Sequence, residues 1–185
     1  NIPNLFKEIP LIKFKDAYSG KTAVIVSAGP TLDRNIETLK KYRDKYILFT
    51  VGTAAKTLYA NNLKPDFISI LIGVNDVWHE LRENPNGVDA DKFYKIYSML
   101  IEEIRSALPN TKIIILEPFV LKASATEERW EDFDREVRLR AKVAKRIAED
   151  YALKFIPLQE GFDKLSENIP ADYWLGDGVH PSSYG

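Results

Sequence analysis

The sequence predicts an α/β protein, a doubly wound three-layer αβα sandwich around one five-stranded parallel sheet. Three observations support this class: five short apolar runs rich in β-branched residues, helical segments between successive runs, and 45% hydrophobic residues in a chain of 185. That length suits one sizeable core and is short for two ordinary domains. We therefore predict a single α/β domain over residues 1–185.

The five apolar runs each have the length of a buried strand. Strands of a parallel sheet are covered on both faces, so they are continuously apolar rather than alternating. The predicted strands are Thr22 to Val26, Tyr46 to Val51, Asp66 to Ile72, Lys112 to Leu116 and Lys154 to Leu158.

Four helices are predicted between the strands. The clearest, from about Asp91 to Leu108, repeats apolar residues every three or four positions and so carries one apolar stripe. A second, from about Glu127 to Tyr151, has apolar residues on one face and Arg, Lys and Glu on the other. Two shorter helices, Thr31 to about Tyr42 and Thr53 to about Asn61, follow directly on strand ends. In such a fold the ligand site lies off the carboxyl ends of the strands.

Charge and composition exclude several classes of function. With 26 basic and 27 acidic side chains the formal net charge is −1, so we expect neither nucleic acid nor a membrane surface as a partner. Cysteine is absent, which excludes disulfides, thiolate nucleophiles and cysteine metal sites. The two histidines stand apart from any carboxylate cluster, so we expect no metal and no cofactor. We expect a cytoplasmic protein that is a monomer or a weak homodimer.

Two short motifs in the last two thirds of the chain carry chemistry. The third strand runs into GVND, where Gly73 allows close backbone approach and Asn75 offers an amide donor, as an oxyanion hole requires. Near the end, DGVHP places His180 three residues after Asp177, which suits a general base oriented by a carboxylate. Taken alone, Asn75 is equally well explained as a helix cap, and His180 as a solvated turn residue.

Together these motifs resemble the SGNH (GDSL-type) hydrolases, a family of esterases, lipases and carbohydrate deacetylases. The resemblance covers about residues 65–185, through PDFISILIGVNDVW, IIILEPF and GDGVHP. It implies a flavodoxin-like sheet, an oxyanion donor at Asn75 and an oxyanion loop shaped by Gly73. It also implies that His180 is the general base and that Asp177 orients it.

The turn after the first strand departs from that family. There the family carries its nucleophile in a Gly-Asp-Ser-x-Thr turn, whereas this chain reads VSAGPT. If Thr31 takes the family's Thr position, Gly29 stands at the nucleophile position. Three alternatives remain open: Ser27 as a substitute nucleophile, Thr31 in the same role, or water activated by His180. The stretch TVGTAAKTL places Gly52 where the family has a second oxyanion glycine.

The first third of the chain resembles a second family. Over about residues 1–66, GKTAVIVSAGPTLDRNIETLKKY and FTVGTAAKTLYANNLKPDF are similar to MptE-like pterin pyrophosphokinases and flagellin motility accessory factors. Those are transferases with a Rossmann-like core that use nucleotides or nucleotide sugars. The resemblance implies an anion-binding turn at Gly29, Pro30 and Thr31. The alternative is that Thr31 only caps its helix.

These observations lead to three hypotheses. The first is an SGNH-type ester hydrolase scaffold for small acyl or acetyl esters, a serine esterase by descent, with weak or no activity because no serine nucleophile is evident. The second is a nucleotide- or phosphate-binding module that uses the Ser27–Thr31 turn. The third is an inert product of fold recombination. The chain is predicted to be a chimera, with a transferase-type fragment over 1–66 and a hydrolase-like fragment over 67–185. Its apolar segment 1–15 is predicted to cover one sheet face.

Overall fold

A computed structural model describes residues 18–83 and 85–185. The prediction for residues 1–15 lies outside this range. The helices and strands are β1 Thr22–Val26, α1 Pro30–Lys41, β2 Tyr46–Val51, α2 Gly52–Ala60, β3 Phe67–Ile70, α3 Val74–Glu80, α4 Ala90–Ala107, β4 Lys112–Leu116, α5 Trp130–Asp150, β5 Lys154–Ile156, α6 Gln159–Ser166 and α7 Ala171–Trp174. A 3₁₀ turn, Arg43–Lys45, precedes β2.

The five strands form one parallel sheet with helices on both sides, which confirms the predicted α/β class. Within β1 and β2, Thr22 pairs with Tyr46 and Val26 pairs with Thr50. Neighbouring strands follow the order of the chain. A flavodoxin-like order would place the second strand outside the first. Here β1 is instead at one edge of the described strands.

The sequence located most elements within a few residues. The bounds of β1, β2 and β4 are those predicted, whereas β3 and β5 each end two residues early. Strand β3 ends at Ile70 because the chain then turns toward Gly73, which leaves Leu71 45% and Ile72 36% exposed. Helices α3, α6 and α7 were not predicted. They have seven, eight and four residues, too short for a clear apolar period.

The described part of the chain divides into two compact units, one ending at Ile68 and the other beginning at Ser69. In the first unit, the apolar faces of α1 and α2 pack with β1 and β2. The buried residues of this cluster are Val26, Leu32, Ile36, Leu48, Ala54, Leu58 and Leu63. A polar bridge joins β2 to the segment before β3, since the Asp66 carboxylate accepts from the Leu48 amide at 2.7 Å and from Arg43 at 2.9 Å.

In the second unit, α5 packs against α3, α4 and β4. One cluster buries Val77, Val120, Phe133 and Val137. Another buries Phe119, Leu121 and Leu175. Helix α4 buries Phe93, Tyr97 and Ile101, as its stripe predicted. Ile96 on the same helix is 54% exposed, so the buried face of α4 is narrower than its apolar stripe.

Candidate functional site

The turn from Asp177 to His180 holds a carboxylate–imidazole pair in the second unit. The Oδ2 atom of Asp177 lies 2.8 Å from Nδ1 of His180. Its Oδ1 atom accepts the backbone amides of Val179 at 2.9 Å and His180 at 2.8 Å. The carboxylate accepts a hydrogen bond from Nδ1–H, so Nε2 is the ring nitrogen left to act as a base. The imidazole is 71% exposed and accessible to a substrate or to water.

These hydrogen bonds set the charge of Asp177. Burial raises the pKa of the carboxyl, but the His180 amide, the His180 ring and the Val179 amide outweigh it, and the pKa falls from 3.8 to about 2. Asp177 is therefore ionised at neutral pH, as a residue that orients a histidine must be.

The backbone of this turn is held from outside. The Leu121 amide donates to the Gly178 carbonyl at 2.9 Å, and the Ala125 amide donates to the Asp177 carbonyl at 3.1 Å. Gly178 has a φ of +98°, and an added Cβ would lie 2.4 Å from the Leu121 carbonyl oxygen. Only glycine fits this position, which explains why glycine stands between Asp177 and Val179 in the motif.

Gly73 and Asn75 lie at the start of α3 rather than in a loop. Gly73 precedes the first helical residue with a φ of +127°, and Asn75 is exposed in the first turn. An added Cβ at Gly73 would lie 3.2 Å from the Arg140 Cβ and 3.3 Å from the Pro118 Cβ. The expected loop is thus the start of a helix. Gly73 occupies the N-cap position, so Asn75 does not cap this helix.

A shared cluster connects the start of α3 with the histidine turn. Val74, beside Asn75, and Val179, beside His180, both pack against the buried cluster of Val77, Val120, Phe133 and Val137. Residues adjacent to Asn75 and to His180 therefore pack on the same hydrophobic cluster of the second unit.

Arg140 is a component of this region that the sequence did not predict. Its side chain is fully buried and forms ion pairs with Glu80 at the end of α3 and Glu136 on α5. It also donates to the Val88 carbonyl at 2.6 Å. The prediction that the arginines of α5 lie on its polar face is wrong for Arg140, which is buried. Its position three residues after Val137 on the apolar face was the available signal.

Asp76 and His79 extend the polar groups along α3. Burial raises the pKa of Asp76, and the positive charge of Arg140 opposes that rise. The Nδ1 atom of His79 lies 3.1 Å from the Asn86 side-chain oxygen. His79 therefore contacts Asn86, whereas His180 is the histidine that contacts Asp177.

Ser27 and Gly52 lie in the first unit. Both are exposed, Ser27 directly after β1 and Gly52 as the first residue of α2. A groove of about 540 Å³ runs over β1 and α1, and its polar lining includes Ser27, Thr31 and Asn35. Helix α1 is capped by Gly29 and starts at Pro30, so the expectation that Thr31 is the cap is wrong.

A shallow depression of about 360 Å³ is lined by residues that flank the histidine turn in the sequence. The rings of Tyr173 and Tyr184 stack in it at 4.6 Å. Its lining residues are Pro170, Asp172, Tyr173, Ser182, Ser183 and Tyr184.

A family model for 6-hydroxymethylpterin diphosphokinase MptE-like proteins matches residues 1–149. The chain belongs to the MptE-like family. The match continues past residue 66, the predicted end of this resemblance, and stops before Asp177.

The MptE-like chain is also similar to esterases. It is 28% identical over 127 residues to an acetylxylan esterase from Geobacillus stearothermophilus, in an alignment that covers 66% of this chain. The alignment spans 54% of that esterase, about half its length. A solved GDSL-like lipase from Parabacteroides merdae ATCC 43184 is 29% identical, with a TM-score of 0.63 over 83% of this chain and 72% of that one.

Further solved structures share the fold. The acetylxylan esterase Axe2 from Geobacillus stearothermophilus superposes with a TM-score of 0.59 at 21% identity, over 89% of this chain and 88% of that one. Structures of that protein include catalytic mutants in which a serine or an aspartate is replaced by alanine. The MptE-like chain thus has a hydrolase-type scaffold, and both resemblances predicted from its sequence are confirmed.

Neither metal ligation nor membrane insertion is indicated in the described part of the chain. Residues 18–83 and 85–185 contain no group of three or more His, Asp or Glu side chains that could hold a metal ion. None of the helices within those ranges is long and apolar enough to cross a membrane.

Proposed function

We propose that the chain hydrolyses small acyl or acetyl esters slowly, with His180 as a general base that activates water. The observation that carries the proposal is the Asp177–His180 pair, with an Nδ1 to Oδ2 distance of 2.8 Å in a turn braced by loop amides. A braced pair of this kind orients an imidazole for proton transfer.

The reaction follows from the two ring nitrogens. Nε2 takes a proton from water while the water oxygen attacks the ester carbonyl, and Asp177 stabilises the imidazolium that forms. The Asn75 amide donates to the oxyanion as charge develops on it. The imidazolium then returns its proton to the leaving alkoxide. Because no acyl-enzyme forms, we expect a rate enhancement of ~10³ over water, the size left to a hydrolase without its nucleophile.

The esterase relatives support this proposal. Their names specify acetylxylan and acetyl-xylooligosaccharide esters. We extend to this chain only the acetyl or small acyl group. The depression of about 360 Å³ around Tyr173 and Tyr184 has room for a small ester.

Hydrolysis of p-nitrophenyl acetate tests the proposal. His180→Ala and Asn75→Ala are expected to reduce the rate to background, because they remove the base and the oxyanion donor. His79→Ala is the matched control and is expected to retain the parental rate. Equal rates for the parent and His180→Ala contradict the proposal.

A further variant identifies the nucleophile. Ser27→Ala is expected to retain the rate if water attacks directly. Loss of activity in Ser27→Ala, with transient acyl-enzyme in the parent, would replace water by a serine nucleophile.

The groove of the first unit favours a second candidate function, binding of a nucleotide or phosphate. Ser27, Gly29 and Thr31 line it at the start of α1, where the positive end of the helix dipole attracts anions and the hydroxyls of Ser27 and Thr31 can donate to them. The family's description as diphosphokinases is consistent with such a ligand. Calorimetric titration with ATP tests it: binding should weaken in Thr31→Val, and absence of binding in the parent excludes it.

The chimeric origin of the chain stays a prediction. The family match covers residues on both sides of 66, so separate searches with residues 1–68 and 69–185 are needed. Return of one full-length family for both segments would contradict it.

A further inference from the structure

A buried threonine lies beneath the histidine turn. Thr126 is fully buried, and its hydroxyl donates to the Leu121 carbonyl at 2.7 Å. The same oxygen accepts the Ala123 amide at 3.0 Å. These bonds close residues 121–126 into a compact loop, because one side chain joins both ends of it.

The closed loop presents its own amides to the turn. Leu121 and Ala125 donate to the carbonyls of Gly178 and Asp177, at 2.9 and 3.1 Å. An added Cβ at Gly178 would lie 2.7 Å from the Thr126 Oγ1. The turn therefore lies directly on the threonine, and the direction of its backbone depends on the shape of the loop.

We propose that Thr126 is a positioning residue for the Asp177–His180 pair. Its hydroxyl fixes the loop, the loop amides fix the backbone of Asp177 and Gly178, and that backbone directs the carboxylate that holds Nδ1 of His180. The effect on the imidazole is independent of turnover. Only its consequence for ester hydrolysis rests on the proposed function.

Two substitutions distinguish positioning from simple packing. Thr126→Val keeps the volume and the methyl group but removes the hydroxyl. Thr126→Ser keeps the hydroxyl and removes a methyl group. A packing role predicts that Ser is the more damaging change, whereas a positioning role predicts that Val is.

The test is ¹⁵N NMR of the imidazoles in the 185-residue chain at a pH where the rings are neutral. The chain has two histidines, and His180→Ala assigns their signals. The parent and Thr126→Ser are expected to show His180 protonated at Nδ1. Thr126→Val is expected to show both tautomers. Parental ¹⁵N shifts in Thr126→Val overturn the proposal, as does a parent without an Nδ1 preference.

Two further measurements complete the design. Should Thr126→Val not fold, hydrogen exchange of the parent decides: the amides of Leu121 and Ala125 must be protected, and free exchange of both overturns the proposal. If the parent hydrolyses p-nitrophenyl acetate, kcat is expected to fall about tenfold in Thr126→Val with KM unchanged. A tautomer change without any parental hydrolysis supports the positioning role and contradicts only the proposed function.

Discussion

The two turns that carry candidate chemistry differ in how they are held. In the turn from Asp177 to His180, the carbonyls of Asp177 and Gly178 are bound by amides more than fifty residues away in sequence, and the glycine is enclosed. The turn from Ser27 to Thr31 is exposed and is bonded locally, for example from the Leu32 amide to the Gly29 carbonyl at 2.9 Å. An added Cβ at Gly29 meets nothing within 4 Å.

This difference separates a fixed site from an adaptable one. A proton-transfer pair needs its geometry before the substrate arrives, and long-range bonds supply that. An anion-binding turn must be accessible to its ligand, and the exposure of the Ser27–Thr31 turn permits this. The comparison therefore favours catalysis in the second unit and ligand binding in the first.

The largest expected effect comes from removing the buried ion pairs that join α5 to the end of α3. Arg140→Met removes a buried cation and leaves Glu80 and Glu136 without their partner, so we expect the free energy of unfolding to fall by about 4 kcal/mol. Urea unfolding measures it. The control is Arg138→Met, which breaks exposed pairs with Asp134 and Asp163 and should cost at most about 1 kcal/mol. Equal effects would mean that the buried cluster is not the stronger support.

A matched pair of glycine substitutions compares the turns directly. Gly178→Ala combines a φ of +98° with a contact of 2.4 Å, and we expect it to destabilise the protein by about 3 kcal/mol. Gly29 has a φ of +157° but open space around it, so Gly29→Ala is expected to cost only backbone strain, about 1 kcal/mol. Thermal unfolding of both variants provides the measurement. A larger loss for Gly29→Ala would reverse the comparison.

The smallest effect is a dependence of stability on pH. The pKa of Asp177 is lowered to about 2 in the folded protein, so its contribution is complete above the ordinary value near 4 and is lost as the pH falls through about 2. With the carboxylate one-third exposed, we expect this contribution to be ~1 kcal/mol after solvent screening. Urea unfolding at about pH 5 and about pH 2.5 should show a smaller loss in Asp177→Asn than in the parent. Identical losses would show that the hydrogen bonds do not shift this pKa.

The parts that the sequence predicted depend on local signals. Continuous apolar runs located β1, β2 and β4, and a three-residue spacing was enough to pair Asp177 with His180. A turn that bonds its own amides to its own carboxylate needs no distant partner to be recognised. Helix α3 was not predicted because Gly73 and Asn75 are as common in loops as at helix starts.

The parts that the sequence could not predict depend on distant partners. Thr126 forms hydrogen bonds within its own loop, but it also lies against Gly178. The two residues are separated in the sequence by the whole of α5. Arg140 was assigned to the polar face because arginine is rarely buried, and only its partners Glu80 and Glu136 make burial possible. One sequence gives no information on such pairings.

The division of the Asp177 carboxylate between its two oxygens has a practical consequence. Oδ1 closes the turn through backbone amides that any residue at positions 179 and 180 supplies, proline excepted, and only Oδ2 serves the ring. The shape of the turn and the identity of its base are therefore separable. Position 180 is a place where other bases, including synthetic imidazole analogues, can be introduced without redesigning the surrounding chain.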